Sequence, residues 1–134
     1  MKKSDCDVFL REIRIGTLVT LNADGSPNAL PLWYEWDGEK VRMFSARDTG
    51  KVRRLAKDPR ACLSVHDPVG APEAWVTVEG TVTVLPEGGL DLARKLAPLY
   101  YEPEQARKTV AFWERQDDFV LLELTPTSIR SYEP

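Results

Sequence analysis

The chain has 134 residues, 43% hydrophobic and 29% charged, with a formal net charge of −3 and a pI near 5.2, which fits one globular domain with a real core and argues against a dedicated nucleic-acid binder. Cys6 and Cys62 stand outside metal-knuckle and C-x-x-C spacings and read as free thiols, and the single His66 cannot build a histidine-rich metal centre. No apolar run reaches membrane-spanning length and no apolar signal core follows Met1–Asp5, so a cytoplasmic protein is expected.

Ser4 reads as a helix N-cap with Asp7 three residues on, and Phe9 and Ile13 share a face, which predicts a helix over 5–13. Arg14 to Leu21, rich in Ile, Thr, Val and Leu, reads as a strand, and 22–26 as a turn with Gly25 free to take positive φ. Asn28 to Trp36 is expected as one second strand, Asp37-Gly38 as a hairpin turn and Lys40 to Ala46 as a third strand. Period 2 then gives way to a short helix through Lys51, Val52, Leu55 and Ala56 that ends near Asp58-Pro59. Ala61 to Val65 is a strand, 67–72 a loop, and Ala74 to Leu85 the longest strand, in which Gly80 marks a bulge or bend. Helices are expected over 89–100 and 103–115, and Phe119 to Leu124 as the last strand, continued after Pro126 by Thr127 to Tyr132. Short hairpin connections exclude a doubly wound fold and favour an antiparallel barrel or sandwich.

Three places could carry chemistry. Phe44 to Lys51 runs from a strand end into a helix start, where free amides favour an anion, with hydroxyls at Ser45 and Thr49 and cations at Arg47, Lys51, Arg53 and Arg54. The same residues also read as a helix with a solvated basic face, and they lack P-loop spacing. Pro31-Leu32-Trp33-Tyr34-Glu35-Trp36 offers an aromatic face for a planar ring or, equally, core anchors. Trp75 opens a long strand after a proline-rich loop and either borders a pocket or packs the core. His66 beside Asp67 is a weak base candidate, no spacing joins Glu35 to Glu79 as an acid pair, and Trp113 is expected to pack its helix onto the barrel.

Taken in order, the segments Gly16 to Pro27, Pro31-Leu32-Trp33-Tyr34, Thr49 to Arg60 and Trp75 to Gly80 resemble the pyridoxamine 5'-phosphate oxidase-like proteins over about residues 8–130. The resemblance implies a mainly β fold, a six-stranded antiparallel split β-barrel with peripheral α-helices. It also implies a homodimer that binds FMN, or in some branches the deazaflavin F420, in a groove shared by two subunits. By resemblance Lys51 faces the cofactor phosphate with Thr49 and Ser45 beside it and Arg47 as a further contact. Pro31, Leu32 and Trp33 run along the ring, largely through backbone groups, and Trp75 lines the pocket, from either subunit. The family's oxidases carry Ser-Arg-Lys where this chain has Thr49-Gly50-Lys51, an arginine near Ala29, and a C-terminal arginine and histidine not matched before Pro134. Vitamin B6 oxidase activity is therefore not the expected one.

The expected function is a flavin-type, FMN-binding oxidoreductase acting on a small unsaturated or quinone-like molecule, with no catalytic side chain and no metal required because the cofactor carries the chemistry. An F420-dependent reductase of the same fold and a non-catalytic flavin-binding protein are the alternatives, and a barrel with no ligand is a third.

Overall fold

Alternation of apolar and polar residues decides the two faces of a single curled sheet in the computed structural model, which describes residues 1–134. In chain order the elements are α1 (Lys3–Arg11), β1 (Gly16–Leu21), β2 (Pro27–Leu32), β3 (Glu35–Trp36), β4 (Val41–Ala46), α2 (Gly50–Lys57), β5 (Arg60–His66), β6 (Trp75–Leu85), α3 (Gly89–Tyr100), α4 (Pro103–Gln116) and β7 (Phe119–Tyr132). The sheet runs β2-β1-β5-β6-β7-β4-β3, every neighbouring pair antiparallel. Its inner face carries Leu18, Met43, Leu63, Val65, Val76, Val78, Leu122 and Leu124, all buried, and α1 adds Phe9 and Leu10 to the same core. Each such side chain contributes about 1.5–3 kcal/mol relative to exposure. No helix is long and apolar enough to cross a membrane.

The sheet has seven strands where six were expected, because the run from Asn28 to Trp36 is two strands. β2 pairs with β1 at one end of the sheet, and β3 pairs with β4 at the other. Trp33 and Tyr34 carry the chain between them. Tyr34 is sunk into the core and Trp33 stacks on Tyr100 of α3 with ring centroids 4.7 Å apart, so packing overrides a pattern that reads as continuous strand. β2 has prolines at 27 and 31, opposite Leu21 and Thr17 of β1.

Other boundaries also move. α1 begins two residues early, with Lys2 rather than Ser4 at its N-cap, and it stops at Arg11. Ile13 lies outside it, about half exposed, and Arg14 covers the Phe9 ring at 3.6 Å from its centroid. Three expectations hold. Gly25 takes φ 85°. Asp37 Oδ1 accepts the amides of Glu39 and Lys40 around Gly38 at φ 97°. The register between β6 and β7 shifts at Glu79/Gly80, where a Cβ on Gly80 would lie 2.0 Å from the Thr125 carbonyl oxygen. Gly80 opposes Pro126 while Glu79 opposes Ser128, so Thr127 is the extra residue of a bulge that exchanges the two faces of β7.

Candidate functional site

The turn from β4 into α2 gathers the polar groups. Ser45 is the last inward residue of β4 and its hydroxyl is buried, donating to the Ala46 carbonyl at 2.9 Å. Its oxygen lies 3.0 Å from Thr49 Oγ1, and with the serine proton on Ala46 the threonine is the donor. Thr49 occupies the N-cap of α2 but its side chain makes no cap bond. The first turn holds no acidic residue, and the first amide bonded within the helix is that of Arg53, on the Thr49 carbonyl. The amides at 50–52 therefore have no intrahelical partner, and the positive end of the helix dipole is uncovered.

Lys51 lies in that first turn, half-buried, with no carboxylate in ion-pair range. Desolvation, and then the neighbouring Arg54 charge, hold its ammonium below the ordinary lysine pKa. Arg54 Nε donates to the buried Thr20 hydroxyl at 2.8 Å. Its guanidinium crosses Gly50, where a Cβ would meet Nη1 at 2.9 Å, so the glycine makes room for the second cation. Thr20 faces Asn28 of β2, whose side-chain oxygen is buried without a hydrogen-bond partner. Two cations without carboxylate partners, three hydroxyls, an uncapped helix and an orphaned acceptor on the neighbouring β2 thus lie around the start of α2 and its contact with β1. That donor set suits a phosphate joined to a hydroxylated chain. Arg54, named from sequence as one of four nearby cations, is the member whose placement could not be read there, because its contact with Thr20 is non-local.

The remaining predicted residues lie apart from that cluster. Arg47 turns to the start of β7, donating from Nε to Asp118 at 2.9 Å, and Arg53 is paired with Asp48. Pro31 is exposed and Leu32 half-buried on β2, whose second edge has no strand beside it. The Trp33 side chain belongs to an aromatic cluster: it stacks on Tyr100 and meets Phe44, Tyr101 and Trp113 edge-on. Trp113 also packs against Phe44 and Phe119, which fixes α4 to the barrel as expected. Trp75 stacks on Tyr132 and lines a separate open depression of about 560 Å³ with Ser64, His66, Pro68 and Thr77. His66 Nδ1 lies 2.9 Å from the Asp67 carbonyl, and the Asp67 carboxylate accepts from Arg14 at 2.8 Å. Glu35 pairs with Lys95 and Glu79 approaches Arg130, so the two glutamates do not meet.

Known proteins resemble this chain in sequence and in fold. A 5a,11a-dehydrotetracycline/5a,11a-dehydrooxytetracycline reductase of Streptomyces rimosus is 36% identical over 88 residues, 60% of this chain and 62% of the relative. A pyridoxine/pyridoxamine 5'-phosphate oxidase of Anaeromyxobacter dehalogenans is 40% identical over 75 residues, 55% of this chain and 37% of the relative. The chain therefore spans less than two thirds of either curated relative. Among solved structures, a conserved hypothetical protein of Mycobacterium tuberculosis superposes with a TM-score of 0.77 at 22% identity, covering 99% of this chain and 85% of the other. An F420 reductase superposes with a TM-score of 0.66 at 23% identity, covering 92% and 94%; at such identities both likenesses speak for the fold alone. The family model described as pyridoxamine 5'-phosphate oxidase matches residues 3–133, and with the curled antiparallel sheet already in view, the chain belongs to that family.

Proposed function

We propose that the protein binds FMN and acts as an oxidoreductase on a small unsaturated or quinone-like molecule. The observation that carries this reading is the uncapped start of α2, with desolvated Lys51 in its first turn and Arg54 drawn across Gly50. Burying two like charges together without a carboxylate is unfavourable unless an anion joins them. A bound flavin supplies the hydride chemistry, which explains a site without a nucleophile or triad. The chain's part is to hold and orient. Lys51, Arg54 and the α2 amides bind the phosphate, and the Thr49 hydroxyl joins them by turning its proton from Ser45 to the ligand, while Ser45 stays bonded to the Ala46 carbonyl. Asn28 offers its orphaned oxygen to a hydroxyl of the linking chain, and the free edge of β2 at Pro31 and Leu32, leading into Trp33, meets the ring. Arg47 joins the phosphate only by leaving Asp118. Support for a reductase comes from the Streptomyces rimosus relative, matched over 62% of its length.

The partner in this reading is a second copy of the chain. A ring lying against the open β2 edge has one wall in a single barrel, and in this reading Trp75, which lines a separate depression, supplies another from the second subunit. F420 is the second reading, favoured by one observation: past Lys51, Arg53, Arg54, Lys57 and Arg60 line an open groove of about 820 Å³ beside the β1–β2 turn, where they outnumber the carboxylates of Asp24 and Asp58, although Arg53 and Arg60 are themselves paired with Asp48 and Asp58. Calorimetric titration of apoprotein with FMN, riboflavin and F420 tests both readings. Micromolar or tighter FMN with much weaker riboflavin supports the first, F420 tighter than FMN supports the second, and no binding of any of them refutes the assignment. Turnover of a reduced cofactor with an enone or quinone separates an enzyme from a carrier.

A further inference from the structure

The link between β2 and β3 has no strand beside it, yet it continues the edge assigned to the ring. What holds it is one side chain at the end of α3. Tyr100 lays its ring on Trp33, centroids 4.7 Å apart and planes 9° from parallel. Its hydroxyl donates to the Arg14 carbonyl at 2.7 Å and takes the Tyr34 amide at 3.4 Å, with the Tyr34 carbonyl oxygen 3.3 Å away. Tyr100 therefore ties together three separate stretches: the end of α3, the segment between α1 and β1, and the two residues at which the chain leaves β2. Phe44, Tyr101 and Trp113 meet the Trp33 ring edge-on, so rotation of the indole is resisted by its neighbours, while the Tyr100 hydroxyl holds the backbone one residue on, at Tyr34.

We propose that Tyr100 is a positioning residue for the cofactor ring, fixing the backbone of Trp33 and Tyr34 so that the Pro31–Trp33 edge is already shaped before the cofactor arrives. The inference rests on the assignment of that edge to the ring. Preorganisation of this kind acts on affinity by removing an ordering cost at binding. Its effect belongs to the ring end, so it is shared by ligands with and without a phosphate, whereas the Lys51 contact is not.

The test is Tyr100→Phe, which keeps the stack and removes the hydroxyl, with Tyr101→Phe as the control, since Tyr101 meets Trp33 only at an edge. Dissociation constants for FMN and riboflavin and the visible spectrum of the bound flavin are measured well below the melting temperature of each variant. The expected result for Tyr100→Phe is an equal loss for both ligands, about three- to tenfold from one net hydrogen bond, with a shifted bound-flavin spectrum and a control indistinguishable from wild type. A role confined to stability would lower the melting temperature and leave the constants and the spectrum unchanged, and that result overturns the proposal. A loss for FMN alone overturns it too, by moving Tyr100 to the phosphate end. If the wild-type protein binds neither flavin, the function proposed above fails and takes this inference with it; wild-type binding with an unaltered Tyr100→Phe refutes the inference alone.

Discussion

Replacing Lys51 by methionine should push stability and binding in opposite directions. The ammonium is half-buried with Arg54 as its charged neighbour, and both desolvation and that repulsion lower its pKa. Folding therefore disfavours the protonated form. Between the lowered native value and 10.5, the unfolded chain binds more protons than the folded one, so stability rises with pH across that window. Below the window the penalty is present in full, and methionine, of similar length and uncharged, removes it. The apoprotein should consequently melt higher than wild type at pH 7, and the difference should shrink as pH climbs towards 10.5. Binding behaves the other way. A charged hydrogen bond to phosphate is worth roughly 1.5–3 kcal/mol, so FMN affinity should fall about tenfold to a hundredfold while riboflavin affinity stays within about twofold. Thermal melts across pH and calorimetric titrations with both ligands measure the two halves. Equal losses for FMN and riboflavin would move Lys51 off the phosphate, and an apoprotein that melts lower at every pH would refute the account of a charge held at a cost.

Arg54→Ala should also weaken FMN, by about tenfold, whereas Arg47→Ala should cost less than either, because its guanidinium is turned to Asp118 and away from the start of α2; titrations of the three variants side by side decide the order. Gly80→Ala puts a Cβ 2.0 Å from a backbone oxygen and should destabilise by roughly 1–3 kcal/mol in urea unfolding. Tyr34→Phe removes a buried hydroxyl that has no partner, one whose ionisation burial pushes well above the ordinary phenol range, and should leave stability unchanged or raise it by about 1 kcal/mol in the same assay.

Much of the fold was legible because it depends on local chemistry. The Asp37-Gly38 turn and the helix opened after Thr49 announce themselves within four residues of sequence, and the period-2 runs of β1, β4 and β5 show their inner faces directly. Trp33 to Trp36 defeated the same logic: alternation continues through them although the chain is crossing from one end of the sheet to the other, since a buried tyrosine and a stacked tryptophan satisfy the pattern as well as strand residues do. The site divides in the same way. Ser45, Thr49 and Lys51 were readable as hydroxyls and a cation around a helix start. Which arginine accompanies them was not, because Arg47 is drawn to Asp118, 71 residues away, and Arg54 to Thr20, 34 residues back.

The two prolines of β2 have a consequence for self-association. In an antiparallel ladder a residue that exchanges hydrogen bonds with its opposite number must donate an N–H, which proline lacks. Pro31 opposite Thr17 and Pro27 opposite Leu21 must then sit at non-bonded positions, with their backbone polar groups directed away from β1. The outer rim of the strand accordingly presents carbonyls at 27, 29 and 31 but a single amide, that of Ala29. A second chain trying to extend the sheet there would find two of its three acceptors unanswered. The rim is thereby guarded against runaway strand addition and aggregation.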